Sequence, residues 1–177
     1  MPAPMIRPAT AADIAAITAI YADAVRHGTA TFELEPPDHA EMLRRFATLT
    51  GAGFPYLAAE ADGRLAGYAY AGPYRARPAY RFTVEDSVYL APEAQGRGLG
   101  TALLARLIEA TAERGFRQII AVIGDSANVA SIRAHAHAGF AMIGTHPAVG
   151  LKFGRWLDTV MMQRALGAGA STVPGDR

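Results

Sequence analysis

Residues 83–100 read TVEDSVYLAPEAQGRGLG, and the fold turns on how this stretch divides. Its first half alternates as a strand does. Thr83, Glu85, Ser87 and Tyr89 share one face, and Val84, Asp86, Val88 and Leu90 share the other. Its second half is a glycine-rich turn that runs into an amphipathic helix. A strand, a glycine-rich turn and a helix in that order make an anion site. The first backbone N–H groups of a helix have no internal partner and point out along its axis. Glycine has no Cβ to keep a phosphate away from that backbone. The stretch therefore points to a phosphorylated ligand held beside one carboxylate, Glu85.

Upstream, residues 5–7 read as a short strand. Thr10 and Asp13 make a capping-box-like start, and Ile14, Ile17, Ile20, Tyr21 and Ala24 then recur at helical spacing as far as His27 and Gly28. Residues 29–35, TATFELE, form a loop closed by Pro36 and Pro37. Asp38 and Glu41 repeat the capping pattern for a second helix through Met42, Leu43, Phe46 and Leu49, stopped by Gly51 and Gly53. The signal then changes to strands at 56–61 and 65–71, joined by an Asp62-Gly63 hairpin turn. Gly72 and Pro73 are expected to break the second of these. A loop rich in Arg and Tyr follows, and residues 82–90 form the central strand.

Downstream, residues 99–114 form a long helix with Leu103, Leu104, Leu107, Ile108 and Thr111 on its buried stripe, capped by Gly115. Residues 118–123 are almost continuously apolar, which suggests a strand buried on both faces. A short helix at 128–138 ends at Gly139 and Phe140, and 140–143 and 156–163 read as two final strands. The order β-α-α-β-β-β-α-β-α-β-β implies one α/β domain around a single sheet, spanning residues 1–166. The tail 167–177, GAGASTVPGDR, is small and polar and is expected to be disordered.

Composition narrows the classes. A chain of 177 residues with 51% hydrophobic residues can bury a sizeable core. A net charge of +1 makes no overall electrostatic case for nucleic acid. With no cysteine there are no disulfides, thiolate metal sites or cysteine nucleophiles, a pattern that fits the cytoplasm. The N-terminus has no apolar signal-peptide core, no apolar run is long enough to cross a bilayer, and no internal repeat is visible.

The glycine turn has competing readings. It is not a P-loop, because no Gly-Lys-Ser/Thr follows. It is a poor dinucleotide fingerprint, because the third glycine falls due at Thr101 and the element follows an antiparallel region. A turn that binds nothing is the plain alternative. The remaining reading is a pyrophosphate site for coenzyme A. Gln95, Gly98 and Gly100 fill the fixed positions of the Gln/Arg-x-x-Gly-x-Gly/Ala pattern, and the stretch resembles that of GNAT-type N-acetyltransferases. Asn128, a short helix and Gly139-Phe140 resemble the second half of the same cofactor site. The segments AGPYRARPAYRFTVEDSVY, AVIG, SIRAH and KFGRWLDT resemble phosphinothricin N-acetyltransferases and, equally, methionine sulfoximine/methionine sulfone acetyltransferases. The resemblance covers residues 5 to 165, near enough.

That resemblance implies a GNAT fold, a mixed and mostly antiparallel central sheet flanked by helices. It implies acetyl-CoA as co-substrate, a small amino-acid-like primary amine as acceptor, direct transfer without a covalent enzyme intermediate, and a homodimer. Val88, Tyr89 and Leu90 would pair with the pantetheine arm, the Val88 N–H serving as an oxyanion donor. Gln95, Gly96, Arg97, Gly98, Leu99, Gly100 and Thr101 would hold the pyrophosphate, and Asn128 the pantetheine or thiol. Phe32, Glu33, Arg75, Arg77, Tyr80, Ser87 and Trp156 are the candidates to line the acceptor pocket.

Each candidate has a plainer alternative. Glu85 as general base would take the proton that an ammonium must lose before it attacks; otherwise it is a strand carboxylate in solvent or beside an arginine. Asp86, on the opposite face, is assigned that duller role. His135 stands four before Gly139, where the family often carries an acidic tyrosine, and it would protonate the departing thiolate. Its alternative is a helix histidine bonded to a carbonyl; His137, two residues on and facing roughly the other side of the helix, is read as structural. His27, His39 and His146 show no metal-ligand spacing, so no metal site is expected. Arg75 and Arg77 suit a carboxylate or phosphinate but also suit a solvated loop. For Tyr80 and Trp156 the alternative is packing. At the level of the whole protein, the rivals are a peptide or protein N-acetyltransferase, a non-catalytic acetyl-CoA sensor and a nucleotide-binding module.

Overall fold

A computed structural model describes residues 4–175. Seven strands form one sheet in the order β1-β2-β3-β4-β5-β7-β6, with β1 at Met5–Pro8, β2 at Tyr56–Ala61, β3 at Arg64–Pro73, β4 at Thr83–Leu90, β5 at Gln118–Gly124, β6 at Ala141–Lys152 and β7 at Arg155–Ala165. Four α-helices flank it: α1 at Ile14–His27, α2 at His39–Gly51, α3 at Leu99–Glu113 and α4 at Val129–His137. The order of elements along the chain is the one expected from periodicity, and the sheet is mixed and mostly antiparallel. Only the β4–β5 pair is parallel, and it covers just Thr83, Val84 and Glu85 of β4.

Local chemistry explains the ends of the elements. Asp13 Oδ2 accepts from the Thr10 backbone N–H at 2.7 Å, so the expected capping box closes, here over a 3₁₀ turn that leads into α1. The same carboxylate takes a two-pronged bond from Arg7 at 2.8 Å, tying β1 to the helix start. Asp38 caps α2 by accepting from the Glu41 N–H at 2.8 Å. Asp62 and Gly63 both have positive φ, 52° and 74°, the geometry of a tight hairpin turn. On α3, Leu103, Leu104 and Leu107 are fully buried against the sheet, each worth about 1.5–3 kcal/mol.

Three boundaries differ from expectation. β3 continues through Gly72 and Pro73, which pair with Glu85 and Val84. Proline is tolerated there because it is the last residue of the strand. β6 runs on to Lys152, well past residue 143, with irregular register after Met142 and His146. Gly144, Pro147 and Gly150 masked that strand in the sequence. The tail is not free after residue 166 either. Leu166 is buried, residues 167–172 form turns, and Arg117 donates to Gly169 O at 3.3 Å and to Thr172 Oγ1 at 3.0 Å.

The two faces of the sheet differ. Tyr56, Tyr68, Tyr70 and Tyr89 form a stacked ladder on one face, with centroids 5.0–6.3 Å apart, and Tyr21 of α1 meets Tyr89 edge-on. Gly67 lies against Leu90 and Leu103 of α3 on the other. Glu85 is therefore on the α1–α2 side and Asp86 on the α3–α4 side. Between β4 and β5 the pairing stops at Glu85, and the gap that opens beyond it holds the site.

Candidate active site

The Phe82 carbonyl accepts from the Arg117 and Gln118 N–H groups, on the β5 side. Backbone groups alternate by two along a strand, so those of Val88 and Leu90 face the same way, beyond the last β5 pairing at Glu85. An open strand edge inside a domain is a place for a ligand to supply the missing partners.

A cavity of about 330 Å³ lies at this gap, lined in part by Glu85, Asp86, Ser87, Tyr70, Phe32 and His135. A second, larger groove of about 600 Å³ runs along Val88, Tyr89 and Leu90 to Gln95, Gly96 and Gly100 at the start of α3. The two share Ala30, Val88, Tyr89, Asn128, Ser131 and His135 as common walls. A small compartment with a carboxylate thus opens onto a long one that ends at a helix N-terminus.

The groove fits an extended, phosphorylated ligand. Gly98 precedes α3 with φ +80°, and no side chain caps the helix. A Cβ built on Gly96 or Gly98 would meet nothing within 4 Å, so these glycines serve the left-handed turn and leave open space above the helix N–H groups. Among the other sequence candidates of this loop, Leu99 is buried in the core, Arg97 pairs with Asp62 at 3.2 Å, and neither they nor Gly98 and Thr101 line the groove. Asn128 Oδ1 accepts from the Ser131 N–H at 3.2 Å as the cap of α4, which leaves its amide N–H groups to offer a ligand.

Glu85 is half-buried in the smaller cavity, and its carboxyl is pushed up to about 7. Burial is the main cause, the Asp86 charge adds to it, and Arg75 opposes it. Asp86 departs from its assigned role. It is only 7% exposed and faces no arginine; its Oδ1 lies 3.3 Å from His135 Nε2. His135 is itself buried, with Nδ1 2.8 Å from the Ser131 carbonyl. His137 Nδ1 bonds to the Arg133 carbonyl at 2.8 Å.

The acceptor candidates divide. Phe32 and Ser87 line the cavity with Glu85, whereas Glu33, Arg75, Arg77, Tyr80 and Trp156 do not. Glu33 accepts from Tyr21 Oη at 2.8 Å and from Arg45 Nη1 at 2.6 Å, so its carboxylate is spent anchoring the loop. Arg75, Arg77 and Tyr80 are exposed on the β3–β4 connection, and Trp156 is 64% exposed on the β6–β7 hairpin. Periodicity alone missed Tyr70, Tyr21, Thr31 and Gly124, which do line the cavity. The signal for Gly124 is steric: a Cβ there would collide with Thr29 O and crowd the Phe32 ring. The same ring leaves no room for a Cβ at Gly150. Lys152, 2% exposed, completes the clamp by donating to Thr31 O at 2.8 Å.

Residues 17–140, most of the two compartments included, match the acetyltransferase (GNAT) family. The chain belongs to this family. It is an acetyl-CoA-dependent N-acetyltransferase. A phosphinothricin N-acetyltransferase of Alcaligenes faecalis is 57% identical over 162 residues, covering 92% of this chain and 82% of that one. An L-methionine sulfoximine/L-methionine sulfone acetyltransferase of Salmonella typhimurium is 44% identical over 161 residues, 91% and 94% of the two chains. In three dimensions, the GNAT phosphinothricin acetyltransferase of Sinorhizobium meliloti in complex with AcCoA superposes with a TM-score of 0.95 at 50% identity, covering 98% and 94%.

Proposed function

We propose that this acetyltransferase acylates the primary amine of a small amino-acid-like acceptor of the phosphinothricin, methionine sulfoximine or methionine sulfone type. The observation that carries the reading is the junction of the compartments, where a half-buried carboxylate with a pKa near 7 meets the groove across Val88 and His135. The names of the relatives support the acceptor class.

Bound acetyl-CoA supplies an activated thioester. The α3 N-terminus and its glycine turn hold the phosphates, and the open edge of β4 holds the arm. Val88 N–H donates to the thioester carbonyl oxygen and stabilises charge that develops there. Glu85 takes a proton from the acceptor ammonium, directly or through one water, and frees the amine to attack. His135 protonates the departing sulfur. Arg75 and Arg77 hold the acidic end of the acceptor at the mouth of the cavity, close enough for Arg75 to act electrostatically on Glu85. Two copies of the chain pair through the β6–β7 hairpin, whose Met142, Ile143, Leu151, Phe153 and Trp156 are all more than half exposed.

The test is thiol release from acetyl-CoA with phosphinothricin, methionine sulfone and methionine sulfoximine in parallel, beside a panel of peptides. Release with a free amino acid analogue is the expected result. Release with peptides alone would reassign the enzyme to protein acceptors. Cofactor binding with no release from either panel would make it a sensor.

A further inference from the structure

The mechanism above uses Glu85 and leaves its neighbour unexplained. Asp86 is buried, and its Oδ2 has no hydrogen-bond partner. Its other oxygen faces His135 Nε2 at 3.3 Å. The Ser131 carbonyl, 2.8 Å from Nδ1, can only accept, so Nδ1 carries a hydrogen. In a neutral imidazole that leaves Nε2 as a bare lone pair. A bare lone pair facing an ionised carboxylate would be two acceptors in a desolvated pocket, which is unfavourable. The contact makes sense only with a proton between Nε2 and Oδ1.

We propose that Asp86 and His135 share one proton, and that Asp86 is the positioning residue that keeps it available to the departing thiolate. This rests on the acetyl-transfer reading. His135 is suited to deliver the proton because it lines both the acceptor cavity and the cofactor groove. The acceptor ammonium gives one proton to Glu85. The C–N bond forms, the C–S bond breaks with its electron pair going to sulfur, and sulfur takes the proton held at Nε2. The new amide nitrogen sheds its second proton, which restores the pair, and Glu85 releases its own to solvent.

The surroundings favour retention of that proton. Burial pushes Asp86 up, against the influence of His135. Burial alone would push His135 down, but the bond and charge of Asp86 and the Ser131 carbonyl outweigh it and turn the net shift upward. Both directions hold the proton to higher pH. From β4 the charged groups near the pair are Asp86 and Glu85. From α1 and β3, the Tyr21 and Tyr70 phenols in the cavity are shifted up and stay neutral, as is Tyr89 on β4. In the groove, Asp23 is paired with His27 and Asp125 with Arg155. Thr159 of β7 lines the cavity and the Phe140 ring meets His135 edge-on at 5.0 Å, and neither carries charge.

The experiment follows the ring nitrogens of ¹⁵N-histidine-labelled protein with pH, His135 being assigned by loss of its signals in His135→Gln. The expected result is a midpoint for proton loss at Nε2 well above the ordinary histidine value of about 6.5. Asp86→Asn, which keeps the volume and a hydrogen bond, should lower that midpoint by about one unit or more. It should move the alkaline limb of kcat down by the same amount and leave the Kd for acetyl-CoA unchanged. A wild-type midpoint near 6.5 overturns the proposal, and so does an Asp86→Asn variant that loses thermal stability with the titration and the alkaline limb unmoved. The wild-type titration decides alone if Asp86→Asn does not fold. It needs no acceptor, so failure of wild-type turnover would overturn the acetyl-transfer reading separately.

Discussion

Glu85 and Asp86 are adjacent carboxylates with different environments. Glu85 keeps partial access to water and titrates near 7, whereas Asp86 is sealed against a histidine. A base works only when ionised, so kcat/KM should rise with pH through about 7 and hold until the alkaline limb set by His135. Glu85→Gln should remove that limb and lower kcat by about 10²–10⁴-fold, with acetyl-CoA affinity intact; a pH–rate series on the two proteins checks both. Arg75 favours the ionised form of Glu85, so Arg75→Ala should move the limb to higher pH. Alternation alone put these two carboxylates on opposite faces. It could not say which face was dry, because that depends on α4 arriving from 49 residues away in sequence.

Among the elements, the start of α3 and the 29–35 loop make the compartments. The α3 turn was legible because its glycines sit at fixed spacing, and the structure adds the reason in their left-handed φ angles of +71° and +80° at Gly96 and Gly98. A valine at position 98 would be forced into a conformation that β-branched residues avoid, at a cost of about 1–3 kcal/mol. It would also put methyl groups into the open space above the helix. Gly98→Val should therefore weaken acetyl-CoA binding at least about tenfold in calorimetry, an energy of about 1.4 kcal/mol, with a smaller loss of thermal stability. Binding at wild-type strength would remove this turn from the cofactor site. The loop was less legible. TATFELE shows an aromatic and two acids, but only the fold reveals that Phe32 sits over Gly150, that Glu33 belongs to Tyr21 and Arg45, and that Lys152 is buried to hold Thr31.

At the scale of the whole molecule, β6 is an edge strand with exposed apolar side chains, a surface that invites another chain. Light scattering should report twice the monomer mass, and Trp156→Glu, which puts a charge into that face, should shift it towards monomer. A wild-type mass equal to one chain would end the dimer reading. By itself the sequence determined the order of the elements, the nature of the α3 turn, and the presence of a carboxylate on the central strand. These follow from periodicity and glycine spacing, which act over a few residues. Only the tertiary structure decided that β4 and β5 part after Glu85, that Asp86 meets His135, and that Glu33 and the arginines stand outside the cavity. Each of those depends on which strands lie side by side and how far they stay paired, and local patterns carry no information about contacts made across the sheet.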